Sequence, residues 1–188
     1  MEFLEDNQIC AWAEEHGLVR GEGFEVRLPD LPSLYRREYA NGRRSGHEQA
    51  AAADFIKSLG SWDECLVWVQ SWGVWPSGED WPQFYAWRGA LGERRSLEVA
   101  PGHRFARDEG LLLAQLLTLI MENAWDADIL CSRGGRANDT RGVISHDEWY
   151  EILQALDHRN AAGEQAFAAD GAGACSCEDD APRLKRDR

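Results

Sequence analysis

WDECLVWVQSWGVWPSGEDWPQFYAW, residues 62–87, is the stretch on which the reading of the fold turns. Cys65 to Trp72 is apolar apart from Gln70 and Ser71, the pattern of a strand buried on both faces. Trp75-Pro76-Ser77-Gly78 breaks that run. Ser77, followed three residues later by Asp80, predicts a helix N-cap with an acidic partner in the first turn. Trp81, Phe84, Tyr85 and Arg88 then recur at helical spacing. A strand therefore feeds a helix, and the pair carries six of the chain's nine tryptophans.

Upstream, residues 3–16 read as a helix stopped by Gly17, and the alternation over 24–28 reads as a half-buried strand. Residues 34–39 suggest a short helical turn. Ser45 and Glu48 form a capping-box pattern ahead of an alanine-rich helix running to about Leu59. Downstream, Ser96–Val99 reads as a short strand and residues 100–103 as a loop. Asp108 opens a helix apolar around most of its circumference, hence central and buried. Strands over 127–132 and 141–145 are expected to flank a long polar hairpin tip. Ser145 and Glu148 repeat the capping-box pattern ahead of a last helix bearing Trp149, Ile152, Leu153 and Leu156.

These elements predict a single α/β or α+β domain over about residues 1–160. Its mixed sheet of four to five strands (near 24–28, 64–72, 95–99, 127–132 and 141–145) is packed by about five helices. Residues 161–188 are rich in Ala, Gly and acids and offer nothing to bury, so a disordered tail is expected.

Thirty-three acids against 20 bases give a net charge of −13. Such a field disfavours direct binding to nucleic acid or an anionic membrane and favours a basic partner. No run of apolar residues is long enough for a membrane span, and the first residues lack the basic, then apolar, pattern of a secretory leader. Five irregularly spaced cysteines do not make a disulfide framework, and Cys65 and Cys131 fall within apolar runs as small core residues. A reducing cytoplasm is the expected compartment.

Chemistry-bearing patterns are few. Arg36, Arg37, Arg43 and Arg44 gather around the helix start that holds Ser45 and His47, an arrangement suited to an anion or phosphate. The competing expectation is that these arginines pair with nearby acids. His146 beside Asp147 resembles an oriented base, but neighbours at a helix start point about 100° apart, so capping is the simpler role. Asp126 and Asp128, beside His146 or His103, would make part of a metal site without enough further ligands. Cys175 and Cys177 make half of one. No P-loop, nucleophile elbow or GxGxxG pattern occurs, so neither a metal nor a cofactor is expected.

Trp72 and Trp75 leave a strand for a loop, Glu79 and Asp80 follow, and Trp81 opens a helix. Aromatic anchors ringed by carboxylates suit a basic protein partner. Small acidic bacterial immunity and antitoxin proteins have this size, charge and aromatic content, a similarity of class without a shared motif. The leading expectation is a non-catalytic binding protein that masks a basic partner. The alternatives are a small enzyme or anion-binding domain using Arg43–Glu48 with His103 or His146, and an assembly subunit.

Overall fold

In chain order the elements are β1 (Glu2–Leu4), α1 (Asp6–Glu15), β2 (Val19–Arg20), β3 (Val26–Arg27), β4 (Ser33–Glu38), α2 (His47–Ser58) and β5 (Glu64–Ser71). There follow α3 (Trp81–Ala90), β6 (Gly102–Ala106), α4 (Gly110–Glu122), β7 (Asp126–Arg133), β8 (Arg136–Ser145) and β9 (Trp149–Gln154). Single 3₁₀ turns precede α3 and α4. The computed structural model describes residues 1–20, 26–27, 33–39 and 46–154. The expected strand over 24–28 is therefore seen only as β3, and the boundary near 160 and the tail lie outside the described residues.

The run from Cys65 becomes β5, which ends at Ser71, one residue short of Trp72, and is the third strand of a seven-stranded sheet ordered β1-β6-β5-β7-β8-β9-β4. Every pairing in it is antiparallel. The chain is thus an α+β protein; the expected mixed sheet of four to five strands is corrected to a larger antiparallel one, and the expected five or so helices to four α-helices among the described residues. The reason lies in the connections. Short hairpins join β7 to β8 and β8 to β9, while the α4 crossover carries the chain from β6, on one side of β5, to β7 on the other.

Both faces of β5 are covered. Cys65, Val67 and Val69 face the main core, packed with Phe55 of α2, Phe84 of α3 and Leu113, Leu116, Leu117 and Ile120 of α4. Leu66 faces the other way, into a smaller cluster with Leu4, Leu130 and the Ile9 and Trp12 side chains of α1. Cys65 and Cys131 stand opposite each other on β5 and β7, buried and free, with sulfurs 3.7 Å apart. Burial pushes the Cys65 thiol up, which keeps it protonated and inert.

Four local expectations are overturned. Residues 34–39 are strand β4, paired with β9, because Tyr35 and Tyr39 gain ring contacts with Tyr150 that a free helical turn would lack. The expected helix after Ser145 is strand β9. Ser145 pairs with Trp149 across a three-residue turn in which Glu148 takes φ 62° and the Ser145 hydroxyl accepts the Asp147 N–H, 3.2 Å. Tyr150 and Ile152 then reach the core while Trp149 and Glu151 do not, a period of two. Residues 96–99 form a turn and 102–106 the strand. Finally, the long hairpin tip is only Gly134-Gly135, with φ 61° and 75°, between the paired Arg133 and Arg136. Among the described residues, no helix is long and apolar enough to cross a membrane.

Candidate functional site

Beyond β5, Gly73 turns the chain with φ 76°, and Gly78 donates its N–H to the Trp75 carbonyl at 2.7 Å, closing the loop. Trp75 at the tip is 58% exposed and its neighbour Val74 39%. The loop is held from beneath. Glu79 Oε1 accepts the Gly73 N–H at 2.6 Å and the indole N–H of the fully buried Trp125 at 2.7 Å. Asp80 donates its N–H to Asn123 Oδ1, 2.6 Å, and its carboxylate accepts the Gln83 N–H at 3.3 Å, capping α3. The cap is therefore Asp80 and not Ser77, which lies in the 3₁₀ turn instead.

Of the five residues singled out for a partner, Trp75 alone is presented to solvent as a whole ring. Trp81 is half-buried against Trp125 and Tyr85, with ring centroids at 5.0 and 5.8 Å, and Trp72 packs against the core. Glu79 and Asp80 line a cleft of about 350 Å³ with Ser77, Gly78, Gln83, Glu122 and Asn123. Glu79 Oε2 is buried there without a hydrogen-bond partner. Glu122 and Asn123, from the end of α4, were not legible as part of this site, because nothing local in a sequence says that the end of one helix meets the start of another.

Next to it runs a second groove of about 440 Å³ between α2, α3 and α4, which shares Gln83 and Glu122 with the acidic cleft. Leu111 stands on its floor, 75% exposed. The helix expected to be apolar around most of its circumference thus has a bare face.

The anion-binding reading fares differently. Arg43, Arg44 and Ser45 lie outside the described residues. Gly46, with φ 79°, is the N-cap of α2, with no side-chain cap among the described residues, and the Ser45 half of the expected capping box lies outside them. Glu48 turns inward, and both its carboxylate oxygens are buried without partners among the described residues. His47 is exposed at the first turn of α2. Arg36 lies on β4 with its guanidinium 3.6 Å above the Trp149 ring, and Arg37 pairs with Asp54.

His103 is fully buried in β6, with Nε2 3.1 Å from the Arg88 guanidinium and Nδ1 3.1 Å from the Pro101 carbonyl. Burial, then the Arg88 charge, lowers its pKa to about 3. His146 sits in the β8–β9 turn, with Nδ1 2.9 Å from both oxygens of Asp126, whose hydrogen bond raises the imidazole pKa. Asp128 turns to Arg141 and Gln70. Asp126 and Asp128 therefore serve different partners, and among the described residues no group of three or more His, Cys, Asp or Glu is placed to hold a metal. His103 is thus a packing residue, and His146 ties the β8–β9 turn to Asp126.

Compared with protein-family models, with curated proteins and with solved structures, the chain matches none. Its site is read from its own geometry.

Proposed function

We propose that this chain is a non-catalytic binding protein that engages a basic protein partner through the face formed by Trp75, Glu79, Asp80 and Glu122, masking that partner as antitoxins and immunity proteins do. The observation that carries the reading is the presentation of Trp75. A large ring, 58% exposed, stands on a loop whose base is fastened by Glu79 to Trp125. Ordering a side chain on binding costs less where the backbone under it is already held. An exposed tryptophan is otherwise a poor use of about 25 cal/mol per Å² of apolar surface, unless something covers it. The acidic cleft beside it and the net charge of −13 supply attraction for Lys and Arg. The cytoplasm is proposed as the compartment, supported by the free thiols of Cys65 and Cys131.

Glu79 and Asp80 hold the fold, so reversing their charge would confuse binding with folding. Trp75→Ala is the cleaner test, since the ring adds little to the core. With a partner recovered from native lysate and purified, it should cost about 2 kcal/mol or more, roughly a thirtyfold loss of affinity, at an unchanged thermal midpoint. Unchanged affinity in the folded variant would remove this face as the site.

A further inference from the structure

The groove beside the acidic cleft has a form that narrows the kind of partner. Leu111, Gln115, Thr118 and Glu122 follow one another at steps of four, three and four residues, so they lie on one face of α4. Eleven steps of 1.5 Å from Leu111 to Glu122 make that stripe about 16 Å long, or three helical turns. Trp87 of α3 forms one wall and Gln49 of α2 the other.

The polar atoms along the stripe are largely spent on the protein itself. Gln115 Oε1 accepts the Trp87 indole N–H at 3.1 Å, and the Thr118 hydroxyl donates to the Ala114 carbonyl at 2.8 Å. Leu111, Trp87 and Thr118 line it, grading into Glu122 and then the cleft of Glu79 and Asp80. The groove is apolar along its length and acidic at one end.

Its walls are helices, whose backbone groups already bond within themselves. An extended peptide laid there would find no strand edge to pair with and would leave its own N–H and C=O groups unmatched. A helix carries its backbone bonds with it. We infer that the groove between α2, α3 and α4 receives an amphipathic helix of about three turns from the partner, with apolar side chains along Leu111, Trp87 and Thr118 and a Lys or Arg at the end that meets Glu122, Asp80 and Glu79. The inference rests on the reading of the Trp75 face as a partner surface and names the element that continues it.

A displayed library of random 16-residue peptides, selected on the full chain, tests both claims. Enriched peptides should show apolar residues at i, i+4 and i+7 with Lys or Arg at one end. Leu111→Arg should weaken them at least tenfold without moving the thermal midpoint, because Leu111 supports no core. Trp75→Ala should weaken them as well, since the groove runs into the cleft beneath that loop. Peptides that lose affinity in Trp75→Ala but not in Leu111→Arg, and lack the helical spacing, would overturn the groove and leave the Trp75 reading standing. Peptides sensitive to Leu111→Arg alone would keep the groove and remove the Trp75 face. Sensitivity to neither, or no enrichment, would overturn both.

Discussion

Arg88→Ala should destabilise the protein by about 3–5 kcal/mol, seen as a lower urea midpoint at an unchanged slope. The guanidinium is fully buried between Phe3 and Phe84, 4.8 and 5.3 Å from their ring centres. It donates to the Ala100 carbonyl at 3.2 Å, the Arg95 carbonyl at 3.2 Å and His103 Nε2 at 3.1 Å. Truncation leaves the Ala100 carbonyl and His103 Nε2 without this buried donor, strips the part-buried Arg95 carbonyl of its own, and adds a cavity. Arg88→Lys should recover little, because one ammonium cannot span the positions that a planar fork reaches. The same cluster makes acid the weakening condition. The unfolded chain takes up a proton on this histidine near pH ~6.5, whereas the folded form holds it neutral down to about 3. The stability this provides is present above the unfolded value and is lost as pH falls from there towards 3. Stability that stays level across that window, or an Arg88→Ala protein of normal stability, would contradict the arrangement.

Gly142→Ala should cost about 3 kcal/mol, since an added Cβ would stand 2.2 Å from Phe55 Cζ and 3.1 Å from the two Cε atoms. The ring has nowhere to retreat. It is fully buried and packs edge-on against Tyr150 at 5.3 Å. Phe55→Leu in the same chain should therefore restore part of the loss, with a coupling of about 1 kcal/mol or more between the two changes. Thermal unfolding of the two single variants and the double variant measures this. Full tolerance of Gly142→Ala would mean that α2 does not lie across β8 at this point, and the floor of the fold would need redrawing.

What a sequence discloses here follows the reach of the forces involved. β5, α3, α4 and β7 are legible because Cys65–Val69 and Leu111–Ile120 are apolar over lengths that only a buried strand or helix can use. β4 and β9 are not. Ser-His-Asp-Glu at 145–148 suits a helix cap as well as a turn, and Trp149-Tyr150-Glu151-Ile152 fits either period. The choice is made by partners far along the chain: Tyr150 against Tyr35, Tyr39 and Phe55. Likewise, Trp75 is legible as a loop aromatic, but the roles of Glu79 and Asp80 are not. Both serve the fold first, through Trp125 and Gln83, and a charge pattern cannot distinguish an acid offered to a partner from one fastening a loop. The groove was hidden for the same reason, since a stripe of Leu, Gln, Thr and Glu on an otherwise apolar helix reads as noise until neighbouring helices wall it in.

The central claim is that a partner covers Trp75. The nine indole N–H groups give nine resolvable probes in a ¹⁵N-labelled protein, and adding the purified basic partner tests them together. The Trp75 signal should shift and become protected from solvent exchange, and Trp87 should move with it through the adjoining groove. Trp12, 3% exposed and packed in the smaller cluster with Leu66, should hold its position. A bound complex in which Trp75 keeps its free shift and exchange rate, while other indoles move, would contradict the account.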